Sequence, residues 1–195
     1  MNSFDNLAGL FHLLRSGERE YLLLKEVGSF KKTDKILDVG GGTGAVAIQL
    51  APFVKEITVL DPSKNMLAKI KNPTLKKKVG SAQKIPFANN SFDVVYVVDA
   101  LHHFTNGHLK HKWEAQMNIC TKELLRVLKK NGQLLIVEFN PETFVGKCIA
   151  FLENKIIGFG SSFYSPSQIN NFFSKEKVEV FHSDKFCYVA KIRKK

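Results

Sequence analysis

The sequence predicts a doubly wound α/β fold: a mostly parallel sheet of seven strands, helices on both faces, and a reversed strand at the C-terminal end. Three observations predict it. Short apolar, β-branched runs alternate with helix-like segments along most of the 195 residues. The run from Phe92 to Val98 is apolar on both of its faces, as a strand covered on both sides is. Near the end, Lys177 to His182 and Phe186 to Ile192 are separated by only Ser183, Asp184 and Lys185, close enough for an antiparallel hairpin.

Each element follows from local pattern. Phe4, Leu7, Phe11 and Leu14 recur at helical spacing and Glu18 to Val27 continues in helix formers, so the first 28 residues read as two short helices. Ile36 to Val39 is a strand, and Ala45 to Ala51 a helix stopped near Pro52. Ile57 to Leu60 is the second strand, ending at Asp61, and Ser63 to Ile70 a helix that Asp61 or Ser63 can cap. Val79-Gly80-Ser81 is a weak third strand. The turn residues Asn89-Asn90-Ser91 introduce the fourth, Phe92 to Val98. Trp113, Met117, Cys120, Leu124 and Val127 then mark one face of a long helix, which Asn131-Gly132 close as a C-cap. Gln133 to Phe139 is the fifth strand. Phe144 to Phe163 is apolar but irregular and reads as a helix plus a loop. Ser165, Pro166 and Gln168 form a capping box that starts a helix through Phe173.

The length suits one domain, 1–195, with an N-terminal helical cover (1–30), a core (35–139), a segment over the open side of the site (140–175) and the terminal hairpin (177–193). No run approaches a membrane span, and MNSFDNLAGL lacks the basic region of a signal peptide, so a cytoplasmic protein is expected. Cys120, Cys148 and Cys187 form no C-x-x-C pair, and neither a disulfide framework nor a metal site is readable. The net charge of +11 is concentrated in Lys31, Lys32, Lys35, Lys69, Lys71, Lys76 to Lys78 and the tail from Lys191 to Lys195. Such a balance suits an anionic small molecule, an acidic lipid surface or RNA, but without interleaved aromatics these lysines read first as a solvated face.

The chemistry concentrates at ILDVGGGTG, where Gly40, Gly41, Gly42 and Gly44 admit a ligand close to the backbone and the following helix points free N–H groups at it. A phosphate loop needs G-K-[ST], and Gly44-Ala45-Val46 lacks it. A dinucleotide fits Gly40, Gly42 and Ala45 as G-x-G-x-x-A, with Asp61 placed 21 residues after Gly40 for a ribose. Against it stands Asp38, an acid at the same strand end that opposes a pyrophosphate. A cationic, phosphate-free nucleoside suits both acids: S-adenosylmethionine carries an ammonium, a sulfonium and a ribose diol.

With those residues in place, the chain resembles the class I S-adenosylmethionine-dependent methyltransferases. ILDVGGGTG is similar to their first motif, VLDPSKNML to their second, GSAQKIPFANNSFDVVYVVDALHHF to their adenine loop and fourth strand, and LLRVLKKNGQLLIVEF to their fifth strand with its preceding helix. The small quinone-biosynthesis branch is the most similar. The resemblance implies a Rossmann-like fold and a cofactor site of Asp38, Gly40, Gly41, Gly42, Thr43, Gly44, Asp61, Pro62, Met66, Ser81, Ala82, Gln83, Asp99 and Ala100. Ser81 stands where many relatives carry an acid. His102 and His103 follow strand four, where the family places acceptor and transferred methyl. As neighbours along a helix they point in different directions, so metal ligation by both is not expected.

The acceptor implied is a small molecule, apolar or aromatic with an anionic group, suited by the aromatics of the first helix and of 144–163. RNA or protein acceptors and a non-catalytic cofactor-binding protein stay open, and a nicotinamide-dependent oxidoreductase is a weaker alternative. Base methylation of DNA is disfavoured, because Asp99-Ala100-Leu101-His102 replaces the [DN]-P-P-[FYW] segment of amino-methylating enzymes.

Overall fold

The computed structural model describes residues 17–105, 112–158, 160–182 and 187–195. The first predicted helix, with Phe4, Leu7, Phe11 and Leu14, and the hairpin turn at 183–185 lie outside these residues.

In chain order the elements are α1 (Glu18–Val27), β1 (Lys35–Val39), α2 (Ala45–Leu50) with a 3-10 turn (Ala51–Phe53), β2 (Glu56–Asp61), α3 (Lys64–Ala68) and β3 (Leu75–Val79). They continue as β4 (Phe92–Val98), a 3-10 turn (Leu101–His103), α4 (Trp113–Val127), β5 (Leu128–Phe139), α5 (Phe144–Phe151) running into a π-helical turn (Leu152–Ile157), α6 (Pro166–Phe172), β6 (Lys177–His182) and β7 (Cys187–Arg193). The seven strands form one sheet in the order β3-β2-β1-β4-β5-β7-β6. Pairings among β1 to β5 are parallel, and β7 runs antiparallel to both β5 and β6. The predicted fold class is therefore the observed one.

Apolar residues fill both faces of the sheet because its central strands are covered on both sides. Leu37, Val39, Val95, Val97 and Leu134 pack against α4 residues Met117, Cys120 and Leu124 on one face. Ile36, Val59, Tyr96, Leu135 and Val137 pack with Leu24, Ala47 and Leu50 on the other. Among the described residues no helix is long and apolar enough to cross a membrane.

Two elements depart from expectation. The third strand runs through Leu75–Val79 rather than Val79 to Ser81, and only Leu75 in it is buried. As an edge strand it carries Lys76, Lys77 and Lys78 into solvent, which blunts the open edge and hides the strand from any apolar pattern. Asn131 and Gly132 do not cap α4: the chain passes into β5 at Leu128, and Asn131 takes a left-handed conformation (φ 62°) inside it. There its N–H donates to Lys194 O, so the pair shapes an irregularity at the sheet end. The capping box at Ser165 and Gln168 forms as expected.

Several basic residues support the chain rather than a partner. Lys191 Nζ donates to Val27 O (2.7 Å), Lys194 Nζ to Leu128 O (2.6 Å) and Lys77 Nζ to Ile70 O (3.3 Å). Arg126 does most. It forms an ion pair with Glu123 and donates to Phe87 O and Ile85 O (both 2.8 Å), while Glu123 accepts from Ile85 N (2.8 Å). This one pair holds the segment from Ile85 to Phe87, which follows the predicted adenine loop. Arg126→Ala is expected to lower unfolding stability by about 1–3 kcal/mol, since it frees two loop carbonyls and an acid together. Urea denaturation checks this; unchanged stability would place the loop's support elsewhere.

Candidate functional site

Parallel strands end on one side of the sheet, so the carboxyl ends of β1, β2, β4 and β5 deliver Asp38, Asp61, Asp99 and Glu138 to a common rim. Asp38 lies opposite Val59 of β2 and Tyr96 of β4 and is 2% exposed. The glycine turn then folds over it. Gly40 has φ 76°, and a Cβ there would stand 2.6 Å from the Cβ of Ala100. A Cβ on Gly41 would collide with the Asp38 carboxylate. The turn is bare because an acid and a neighbouring loop occupy the space that side chains would need.

Asp61 braces this turn from the next strand. Its Oδ2 accepts from Gly42 N (2.9 Å) and its Oδ1 from Ser63 N (2.8 Å). Ser63, not Asp61, supplies the cap of α3, its Oγ accepting from Met66 N (3.2 Å). Pro62 is exposed, and Thr43 and Met66 are half-buried beside the turn.

The Asp38 carboxyl is pushed up to about 8, first by burial and then by the Asp61 charge, with the Tyr96 hydroxyl opposing the rise. Tyr96 Oη, itself buried, lies outside regular hydrogen-bond geometry. At neutral pH Asp38 is therefore largely protonated, and it becomes an anionic wall when a cation arrives to hold its charge. A cationic ligand fits this pair of acids; a pyrophosphate would meet two carboxyl groups and no positive side chain on the turn.

The residues expected to form the adenine loop follow Gly80, whose N–H donates to Asp61 O (3.2 Å). Ser81 forms an isolated bridge with Lys84, Ala82 is buried, and the Gln83 amide donates to the carbonyl of Phe104. Ile85 packs in the core. Gln83 thus ties its loop to the turn after β4 rather than projecting freely from the surface.

That turn carries the histidines. Asp99 adopts φ 47°, with its N–H bonded to Val137 O (3.0 Å), and Ala100 is buried against the glycine turn. His102 is 2% exposed; Glu138 Oε2 receives both its Nδ1–H (2.8 Å) and its backbone N–H (3.2 Å). Its ring stacks on Phe163 (centroids 4.5 Å apart, 16° between planes), and its Nε2 lies 3.6 Å from Glu153 Oε2. His103 Nδ1 is 3.2 Å from Ser161 Oγ. Burial would lower the His102 pKa, but the charge and hydrogen bond of Glu138, with Glu153 and Asp99 nearby, hold it above the usual imidazole range.

The structure corrects the expectation that the two histidines diverge. Their ring centroids are 4.0 Å apart in a 3-10 turn, where Ser162 N donates to His102 O (2.8 Å), Phe163 stacks on His102 and Ser161 Oγ lies against His103 Nδ1. One ring nitrogen from each and a Glu153 oxygen lie within 4.8 Å of one another. Sequence reasoning missed Glu138, Glu153, Phe163 and Tyr96. Glu138 was findable as the lone acid in LLIVEF; Glu153 sits in the apolar, irregular stretch from Phe144 to Phe163 and gave no signal.

Comparison with known proteins follows the geometry. A family model described as a methyltransferase domain matches residues 37–136. The chain is 29% identical over 134 residues to the uncharacterized methyltransferase YcgJ of Bacillus subtilis, covering 65% of this chain and 49% of that protein. It is 34% identical over 110 residues to the demethylmenaquinone methyltransferase of Corynebacterium glutamicum, covering 56% of this chain and 44% of the relative. The chain thus spans about half the length of the curated relatives it matches. The crystal structure of YcgJ superimposes with a TM-score of 0.73 at 18% identity, over 91% of this chain and 99% of that one.

The raised Asp38 pKa has a stability signature. Between its unfolded value of 3.8 and its folded value of about 8, the unfolded state releases the proton and the folded state keeps it. Stability is then lost as pH rises through that window and levels off above it. Relative to Asp38→Asn, the melting temperature of the wild type is expected to fall as pH is raised from about 5 to about 8, by differential scanning fluorimetry. Parallel curves for the two proteins would show that Asp38 titrates normally.

Proposed function

The chain belongs to the methyltransferase-domain family, and from that premise we propose that it transfers a methyl group from S-adenosylmethionine to a small-molecule acceptor, releasing S-adenosylhomocysteine. The observation that carries this reading is the pair Asp38 and Asp61 around a turn with no side chains at Gly40, Gly41 and Gly42.

Asp61, at the end of β2 beside the glycine turn, takes the ribose hydroxyls. Asp38 faces the methionine ammonium, whose arrival drives off the Asp38 proton. Gly40, Gly41, Gly42, Thr43 and Gly44 let the ligand reach the backbone, Pro62 and Met66 flank the ribose, and Ser81, Ala82 and Gln83 line the adenine. Asp99 and Ala100 border the methionine end. When bound, the cofactor supplies an electrophilic methyl on a sulfonium and leaves as a neutral thioether. The protein's task is then alignment and exclusion of water, which asks for no nucleophile of its own. His102 and His103, on the turn that ends at Phe104, border the acceptor.

Phe139 and Phe163, with ring centroids 6.4 Å apart beside His102, give this side an aromatic wall. Together with the likeness to a demethylmenaquinone methyltransferase, they support an apolar or aromatic acceptor. Net charge alone supports an RNA acceptor, and Lys77, Lys191 and Lys194 are engaged by backbone carbonyls. We read residues 1–195 as one domain that works in the cytoplasm.

S-adenosylhomocysteine is expected to raise the melting temperature and NADH to leave it unchanged; the reverse result would overturn the cofactor. Asp61→Ala should weaken S-adenosylhomocysteine binding by about 1–3 kcal/mol, the loss of charge-assisted hydrogen bonds, measured by calorimetry on protein whose circular dichroism matches the wild type. Incubation with methyl-labelled cofactor and then metabolite extract or RNA identifies the acceptor class. Label appearing only in RNA would refute a small-molecule acceptor.

A further inference from the structure

We propose that His102, His103 and Glu153 form a binding site for a divalent transition-metal cation of the Zn2+ class, with Glu138 anchoring His102 from behind. The site lies on the acceptor side of the rim, and its existence does not depend on the identity of the acceptor.

Four observations converge. The three donors lie within 4.8 Å of one another, and the His102 Nε2 to Glu153 Oε2 edge is 3.6 Å. A tetrahedral site with metal bonds of about 2.0–2.2 Å sets its donors roughly 3.3–3.6 Å apart; one edge already has that spacing and the others lie within 4.8 Å. Second, Glu153 Oε2 is buried and has no hydrogen bond among the described residues. A buried carboxylate oxygen without a donor is costly, and a cation between it and the imidazoles removes that cost.

Third, the orienting groups of a metal-bound histidine are already present. The Glu138 carboxylate lies on the Nδ1 side of His102 and turns Nε2 toward Glu153, where a metal takes the place of the Nε2 proton; a carboxylate behind a ligating imidazole is the usual arrangement. Phe163 stacked on His102 and Ser161 against His103 Nδ1 fix the two rings. Fourth, the donor set decides the metal. Two imidazoles and one carboxylate suit Zn2+, Co2+, Ni2+ or Fe2+, whereas Mg2+ and Ca2+ prefer oxygen alone. Three protein ligands leave a coordination position for water or for an acceptor oxygen.

The test uses the full chain, stripped with chelator and titrated with ZnCl2 by calorimetry and with CoCl2 by visible absorption. One Zn2+ per chain and a tetrahedral Co2+ spectrum are expected. His103→Ala and Glu153→Gln should abolish both, and Glu138→Gln should weaken Zn2+ binding about 10- to 100-fold. Circular dichroism melts confirm that each variant is folded; if His103→Ala is not, Glu153→Gln decides. No binding by the wild type, or equal binding by wild type and Glu153→Gln, overturns the site. S-adenosylhomocysteine binding is measured in parallel, so loss of the metal site and loss of the methyl-transfer reading are separate outcomes.

Discussion

The parallel register of β1, β2, β4 and β5 forces several carboxyl groups to one rim of the sheet, where little water reaches them. Burying a carboxylate is unfavourable unless its charge is held or removed, and this fold does so in three ways. Asp61 accepts from two backbone N–H donors, of Gly42 and Ser63. Glu138 holds His102 at 2.8 Å and accepts from the backbone of His102 and Phe139. Asp38 instead retains its proton to about pH 8. The first two are settled within the protein, and the third waits for a ligand. That difference makes Asp38 the rim residue whose state is most easily changed by a cation.

The parts of this arrangement that were legible in the sequence are those encoded by adjacent residues. ILDVGGGTG names its own strand, acid and turn, because the glycines and Asp38 constrain each other directly: the Gly41 hydrogen occupies the place where a methyl would strike the Asp38 carboxylate. The same locality made the capping box at Ser165 readable. Failures came where the deciding contact is remote. The lysine strand Leu75–Val79 is held by pairing to β2 at the sheet edge, which a periodicity argument that needs a buried face cannot detect. Asn131-Gly132 has the composition of a helix cap, yet its partner is Lys194, brought alongside by β7. The two histidines were read with α-helical directions, whereas the segment from Ser161 to Tyr164 holds them in a 3-10 turn.

The side of the rim around His102 was the least legible for the same reason. Its groups come from the end of β4, the end of β5, the π-helical turn and the loop before α6. Four segments far apart in the chain meet there, and no spacing rule links positions 102, 138, 153 and 161. A π-helical turn widens the helix by one residue and often occurs where a side chain must be re-aimed. Here it presents Glu153 toward His102 and Asn154 toward Ser161 O, at 3.0 Å.

The turn from Ala100 to Phe104 connects the two halves. Ala100 fits against Gly40 with no room for another methyl, the Phe104 carbonyl takes the Gln83 amide, and His102 is fixed to Glu138. The glycine turn is therefore packed against the same short segment that carries the histidines. The glycine turn and the histidine turn are thus in direct contact through Ala100.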